Sequence, residues 1–216
     1  MSWRVKKEKY VLRVWVKLLI LGSFLGLMYF VIYYAYSFLS PNQKVEAKIL
    51  VVEGWLNDYA LEESLEIFRE GNYEHLMITG GPLNTGYVIM NYRSTADVSF
   101  QTLLEYGASP DSMTAVNREL VWRDRTYHSA LELKKFLSKN YPGTYAFNLV
   151  SLGAHSRRSW LLFQKALPEH HIGIISINDR LYDHHQWWKN SKGFRSVLTE
   201  GIGYFYVLFF FSAYSL

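Results

Sequence analysis

Short apolar segments alternate with amphipathic segments along most of the chain. Five apolar segments, typical of strands buried in a sheet, occupy residues 48–52, 75–79, 113–116, 147–152 and 172–177. Between them, residues 59–69, 94–106, 126–137 and 155–166 are predicted to form helices. This alternation predicts βαβ units, and hence an α/β domain with a mostly parallel sheet.

The apolar segment nearest the N-terminus is much longer than the others. Residues 18–39 contain no charged side chain, and a helix of that length, at about 1.5 Å per residue, crosses a bilayer core. Tyrosines gather in its second half, as in an interfacial aromatic belt. A cleaved signal peptide is the alternative, although signal h-regions usually span about 7–15 residues. We expect an uncleaved transmembrane anchor at 18–39, followed by a polar linker at 40–47.

The positive charge of the chain is concentrated before this anchor. The net charge is +4, and the first 17 residues alone contribute +5, so the remaining residues total −1. A nucleic-acid binder would carry its positive charge on the folded domain, so we expect no nucleic-acid partner. A basic flank keeps the N-terminus in the cytoplasm. The pattern therefore predicts a single-pass inner (plasma) membrane protein with residues 48–216 on the periplasmic or extracellular side.

The C-terminal stretch is apolar and aromatic. From Ile202 it runs 15 residues without a charge, which is shorter than the about 17–25 residues of a usual crossing. We expect a helix that packs on the domain or lies against the membrane, and a second crossing stays open. The preceding Trp187-Trp188 pair is expected to pack against that helix or mark the membrane interface.

Metal chemistry has little support in the sequence. The chain has no cysteine, which excludes disulfides and thiolate metal sites. The pairs His170-His171 and His184-His185 are adjacent histidines of the kind usually solvated in loops, so no metal site is predicted.

Polar residues and glycines cluster where the predicted strands end. The carboxyl ends of parallel strands share one edge of the sheet, where open α/β sheets bind their ligands. Ten candidate site residues follow the first four strands: Glu53 and Gly54, Gly80 and Gly81, Asp124, Arg125 and Thr126, and His155, Arg157 and Arg158. We expect them to meet at this edge.

The block His155-Ser-Arg-Arg is the most informative of these segments. His155 and Arg158 are three residues apart and share one helix face. Arginine in a first helical turn is opposed by the helix dipole unless an anion is present. We therefore predict that Arg125, Arg157 and Arg158 bind a phosphate or carboxylate.

Proton transfer at the same edge has three candidate residues. His155, Glu53 and Asp124 are the candidate acids and bases, and Gly54, Gly80, Gly81 and Thr126 complete the predicted ligand site.

Simpler interpretations stay open for each residue. Thr126 is a candidate N-cap of its helix, and the glycines are compatible with tight turns alone. Asp124 is a candidate ion-pair partner of Arg125 or Arg158. Surface arginines without a ligand are a further alternative.

Several of these segments together resemble a known family. "VVEGWLNDYALEESLEIF", "ITGGPL", "RDRTYHSALELKKFL", "LGAHSRRSWLLFQKAL" and "WWKNSKGFRSVLTEGIGYFYVLFF" resemble the bacterial YdcF/SanA/ElyC family, over residues 49–211. The resemblance implies a Rossmann-like three-layer α/β domain behind one membrane anchor. It also implies a role in the cell envelope, in barrier integrity, peptidoglycan assembly or lipid-carrier metabolism.

The family's site residues transfer to individual positions. Its first-strand turn falls on Glu53 and Gly54, its glycine pair on Gly80 and Gly81, its helix-start threonine on Thr126, and its His-x-x-Arg on His155 and Arg158. The chain departs from the common family pattern by having Glu-Gly-Trp in place of a glycine-rich first turn and Arg125 where Asn is frequent. A glutamate at the first turn would repel a pyrophosphate.

Three functions are compatible with these residues. The first is an anchored envelope protein that binds an anionic phosphorylated or lipid-linked metabolite, with processing of that metabolite left open. The second is a non-catalytic scaffold for envelope enzymes. The third is a transferase that uses S-adenosylmethionine or a nucleotide, as one branch of the family is associated with the former. The sequence leaves the cofactor unknown.

Overall fold

Five strands form one parallel sheet in the computed structural model, which describes residues 11–83 and 91–212. They are β1 (Ile49–Glu53), β2 (His75–Gly80), β3 (Met113–Asn117), β4 (Ala146–Leu152) and β5 (His171–Ile177). Their order in the sheet is β3-β2-β1-β4-β5, and every neighbouring pair is parallel. The predicted α/β class with a parallel, Rossmann-like sheet is confirmed.

Helices connect the strands and cover both faces of the sheet. The helices of the described residues are α1 (Val14–Leu39), α2 (Asp58–Glu70), α3 (Thr95–Glu105), α4 (Arg125–Asn140), α5 (Ser156–Ala166) and α6 (Ser191–Phe209). The helices predicted from the sequence are all present, with shifted ends. The longest shift is at the C-terminus, where α6 begins 11 residues before the uncharged stretch at Ile202.

Two apolar layers hold the sheet between the helices. On one face, Ile49 and Val51 of β1 pack with α4 and α5, for example against Leu133 and Phe163. On the other face, Leu50 and Val52 pack with α2 and α3. β1 is therefore buried on both faces, as expected for a central parallel strand.

The chain divides into two compact units, the first ending at Ala35 and the second beginning at Tyr36. The first consists of most of α1, the one helix of the described residues that is long and apolar enough to cross a membrane. The predicted basic tail, residues 1–17, falls largely on residues 1–10, which lie outside the described residues. Residues 84–90 and the end of the predicted domain, 213–216, also lie outside the described residues.

Residues 40–47, predicted as a linker, lie against the sheet. Gln43 forms an antiparallel bridge with Ile174 of β5, and the Ser40 hydroxyl lies 2.6 Å from the Ser176 hydroxyl. The buried Asn148 side chain accepts from Val45 N at 2.9 Å and donates to Val45 O at 2.8 Å. This segment runs antiparallel to β5, so Tyr36, just before it, lies at the carboxyl edge of the sheet.

The last helix of the described residues, α6, packs along α5. Val197 and Val207 of α6 are buried, and Asn190 caps the helix by accepting from Lys192 N and Gly193 N. The side chain of Trp187 is buried and stacks on Phe194, so this tryptophan packs the C-terminal helix.

Candidate functional site

A cavity of about 800 Å³ lies at the carboxyl edge of the sheet. The strand order reverses between β1 and β4, and open α/β sheets bind ligands in the crevice at such a switch point. The ends of β1 and β2, the turn after β4, and the helices α4 and α6 all contribute to its lining. Eight of the ten predicted site residues line it; Gly54 and Arg157 do not.

Glu53 is a buried carboxylate at the end of β1. Only 3% of the residue is exposed. One of its oxygens accepts a hydrogen bond from the Ser151 hydroxyl, and the Ser159 hydroxyl lies 3.0 and 3.1 Å from the two oxygens. A buried carboxylate is expensive unless hydrogen bonds compensate it, and two hydroxyl donors serve that purpose here.

His155 stands between Glu53 and a second carboxylate, Glu200. It ends a short 3₁₀ turn, Gly153–His155, which follows β4 and which Gly153 opens with a φ of +49°. Its Nε2 lies 3.9 Å from Glu53 Oε1, and its Nδ1 lies 3.0 Å from Glu200 Oε1. The Trp55 ring meets the imidazole edge-on, with ring centroids 4.9 Å apart.

Arg158 is paired with Glu200. Its Nε donates to Glu200 Oε2 at 2.6 Å, and its Nη2 donates to Oε1 at 3.1 Å. The prediction that Arg158 awaits an external anion therefore has to be corrected, because the α6 carboxylate already occupies its bidentate face. Gly203 makes this approach possible, since a Cβ there would lie 2.9 Å from Arg158 Cδ.

Glu200 holds its negative charge strongly. Burial raises the pKa of its carboxyl, but the hydrogen bonds and positive charges of His155 and Arg158 outweigh burial and lower the pKa to about 2. Sequence reasoning missed Glu200, although a lone carboxylate before an uncharged aromatic stretch was a usable signal.

This arrangement determines the proton chemistry of His155. Nδ1 lies 3.0 Å from Glu200 Oε1 and also 3.0 Å from Arg158 Nη2. Because Arg158 Nη2 already donates to Glu200, and Glu200 is an acceptor only, we assign a proton to Nδ1, donated to Glu200. In the neutral ring Nε2 then carries no proton and can accept one, and Glu53 stands on its side of the ring to stabilise the imidazolium. This imidazolium is the charged form of His155 that lowers the pKa of Glu200. A histidine that a carboxylate orients in this way has the arrangement of a general base.

Two arginines of the cavity have no carboxylate partner among the described residues. They are Arg118, just after β3, and Arg125, at the first position of α4. Burial, and secondly the charge of Arg125, lower the pKa of Arg118. Arg118 donates from Nη1 to its neighbour Glu119 O at 2.9 Å, while its buried Nε has no acceptor in the part of the chain that the structure describes.

The remaining cations of the cavity are neutralised. Lys192 pairs with Asp179 at 3.2 Å, Arg123 lies 3.8 Å from Asp124, and Arg158 pairs with Glu200. Among the residues that the structure describes, Arg118 and Arg125 are therefore the positive charges of the cavity left for a ligand. Sequence reasoning predicted Arg125 and missed Arg118, which the same strand-end rule, applied directly after β3, would have found.

The glycine pair fits tightly against its neighbours. A Cβ on Gly80 would lie 2.4 Å from Ala96 N, and a Cβ on Gly81 would lie 2.3 Å from Arg118 Cζ. The amide of Gly81, a residue of the predicted ligand site, donates to the Thr95 hydroxyl at 3.3 Å. The pair thus allows α3 and Arg118 to approach the strand end.

Gly54 has a packing role of the same kind. A Cβ on Gly54 would lie 2.9 Å from both Ala96 Cα and Thr79 O. Gly54 therefore allows α3 to approach the end of β1, and it stays outside the cavity lining.

Three other predicted residues lie in unexpected places. Asp124, with a φ of +53°, occupies the N-cap position of α4. Thr126, the candidate N-cap in the sequence, is instead the second residue of the helix. The predicted pairing of Asp124 with Arg125 or Arg158 is likewise replaced by Arg123. Arg157 donates to Phe38 O and its guanidinium lies over the Phe38 ring, 4.1 Å from the centroid, which directs it away from the cavity.

Known proteins provide no further identification of this site. In residues 11–83 and 91–212, no group of three or more His, Cys, Asp or Glu side chains is placed to hold a metal ion. No protein-family model matches the chain and no curated protein matches it either, so membership of the YdcF/SanA/ElyC family stays a prediction.

Proposed function

We propose that this is a membrane-anchored envelope protein whose cavity binds an anionic, phosphorylated metabolite and moves a proton during its conversion. The observation that carries the proposal is the pair of unneutralised arginines, Arg118 and Arg125, in the cavity that contains His155.

An anion between these arginines would satisfy three local requirements. It would supply an acceptor for the buried Arg118 Nε, which otherwise costs free energy. It would screen the repulsion between the two guanidinium groups. It would also offset the unfavourable position of Arg125 at the positive end of α4. Arginine forks match phosphate oxygens well, which favours a phosphorylated ligand.

The acid–base part of the proposal rests on His155. Its Nε2 accepts a proton from the reacting group, Glu53 stabilises the charge that develops on the ring, and Glu200 fixes the ring through Nδ1. Arg158, held on Glu200, keeps that carboxylate in place and does not contact the ligand.

The envelope setting combines the membrane-spanning length of α1 with the family resemblance. The basic residues before α1 favour a cytoplasmic N-terminus and an exported second unit. A topology reporter fused after Lys44 tests this orientation, and cytoplasmic activity of the reporter would overturn it.

A ligand screen on the full chain in detergent tests the function. Thermal shifts are measured with inorganic phosphate, pyrophosphate, nucleotide sugars, isoprenyl phosphates and S-adenosylmethionine. Ligand at about a hundred times its dissociation constant adds about 2.7 kcal/mol to the stability. We expect a phosphorylated compound to stabilise the wild type and Lys139→Gln, which removes a charge from the far end of α4, and to lose its effect in Arg125→Gln.

Turnover of the compound found is then compared between wild type and His155→Gln. We expect His155→Gln to keep the thermal shift and lose turnover. A phosphate-dependent shift that Arg125→Gln retains would contradict the anion site. Binding without turnover in the wild type would contradict the acid–base role and favour the non-catalytic alternative.

A further inference from the structure

The helix α6 has two faces of different chemistry. Its inner face contributes Glu200 and Lys192 to the cavity. Its outer face carries an apolar stripe at helical spacing, which we define as Phe194, Leu198, Ile202, Phe205 and Phe209. These five side chains are between 44% and 72% exposed.

An exposed stripe of this kind is unusual on a protein surrounded by water. Single exposed apolar residues are normal, whereas a contiguous apolar face marks an interaction surface. The three residues beside the second half of the stripe, Tyr206, Leu208 and Phe210, are also exposed. Because no charged residue occurs beyond Glu200 in this helix, the outer face there carries no charged group.

The last turn of α1 contacts the stripe at one residue. This turn, Tyr36–Leu39, belongs to the same compact unit as α6. The Phe38 ring meets Tyr204 edge-on at 5.3 Å and stacks on Phe205 of the stripe at 6.5 Å. Arg157 fixes the turn by donating to Phe38 O and covering its ring.

This contact relates the stripe to the bilayer. α1 is the helix of the described residues that is long and apolar enough to cross a membrane, and the last turn of a crossing helix marks the end of its span. With α1 in a membrane, aromatic side chains that contact this turn would lie at the depth of the headgroups, where amphipathic aromatic helices are stable.

We propose that α6 is a second, monotopic membrane contact, with its apolar stripe inserted into the lipid interface beside the end of α1. The inner face of the same helix walls the cavity, so the cavity is held within about one helix diameter, roughly 10 Å, of the lipid. The proposal rests on anchoring by α1 and is independent of the ligand proposed above.

The absence of cysteine allows a direct test in the full chain. Ile202→Cys and Phe209→Cys place a fluorescent label on the stripe. Leu120→Cys and Tyr145→Cys label exposed positions of similar accessibility elsewhere on the unit. All four proteins are reconstituted into phosphatidylcholine and phosphatidylglycerol vesicles, and quenching by iodide in water is compared with quenching by nitroxide groups on the acyl chains.

We expect the stripe labels to be quenched by the lipid nitroxides and to show several-fold weaker iodide quenching than the controls. Iodide quenching of the stripe labels as strong as that of Leu120→Cys would overturn the proposal. Shielding from both quenchers, with disulfides between copies at unlabelled Ile202→Cys, would assign the stripe to a second copy of the chain and would also overturn it.

Discussion

Gly80 and Gly81 are adjacent but serve two different neighbours. A Cβ on Gly81 would collide with the guanidinium of Arg118, which is the far end of a flexible side chain. A Cβ on Gly80 would collide with Ala96 N in the backbone of α3. Substitution of Gly81 should therefore affect ligand binding, whereas substitution of Gly80 should affect stability.

Gly81→Ala is expected to displace Arg118 and weaken the binding of phosphate compounds by about tenfold, the loss of one charged hydrogen bond, with little change in stability. Gly80→Ala is expected to lower the free energy of unfolding by about 1–3 kcal/mol, since backbone must move. Thermal unfolding with and without ligand measures both effects. Equal ligand binding by Gly81→Ala and the wild type would contradict this account of Arg118.

Glu200 gives the stability of the domain a specific pH dependence. Its pKa of about 2 in the folded state lies below the value of 4.5 expected without these contacts. Its contribution, on the order of 3 kcal/mol, is therefore fully present above pH 4.5 and is lost as the pH falls toward 2.

Glu200→Gln should lower the unfolding temperature strongly near neutral pH, and the gap to the wild type should narrow at about pH 3. The control is Glu169→Gln, which removes an exposed carboxylate paired with Lys134 at 2.8 Å and should have little effect. Unfolding temperatures that run parallel for Glu200→Gln and the wild type over this pH range would show that Glu200 does not carry the predicted interaction.

At the scale of the elements, the packing of α5 against α6 aligns the candidate acid–base group. Arg158 of α5 crosses to Glu200 of α6 over the space left by Gly203. For Gly201, two residues earlier, the one atom of the described residues within 4 Å of its Cβ position is Leu39 Cδ1, at an ordinary 3.8 Å. Gly203 therefore tests the Arg158–Glu200 contact, and Gly201 in the same helix serves as its matched control.

Gly201→Ala should stabilise the protein by up to about 1 kcal/mol, because alanine has the better helix propensity. Gly203→Ala should instead lower the stability, since the new methyl group pushes Arg158 from Glu200, and the loss of even one charged hydrogen bond, about 1.5–3 kcal/mol, exceeds that gain. Hydrogen exchange of α6 and thermal unfolding distinguish the two variants. Equal stabilisation by both substitutions would contradict a tight Arg158–Glu200 contact.

At the scale of the whole molecule, the sheet edge was predictable and the pairings across it were not. Hydrophobic periodicity located the strands, and the rule that parallel strands end at one edge brought Glu53, Gly80, Arg125 and His155 to one cavity. That Arg157 and Arg158 point in different directions was also predictable from the sequence. Consecutive helical residues point about 100° apart and cannot share one face.

The partner of Arg158 was harder to foresee. Glu200 lies 42 residues further along the chain, and only the packing of α6 on α5 brings it to the cavity. Asp124 as the N-cap depends on a left-handed backbone conformation that local sequence specifies weakly. Such long-range and backbone effects are absent from a periodicity pattern.

The central claim is that Arg118 and Arg125 hold one anion together. Titration with inorganic phosphate, followed by phosphorus NMR on the full chain in detergent, tests it with Arg118→Gln, Arg125→Gln, the double variant and Lys139→Gln. The account predicts that each single arginine variant loses phosphate affinity by about tenfold or more. The double variant should lose less affinity than the product of the two single losses, and Lys139→Gln should bind phosphate like the wild type. Phosphate affinity that is the same in all five proteins would contradict it.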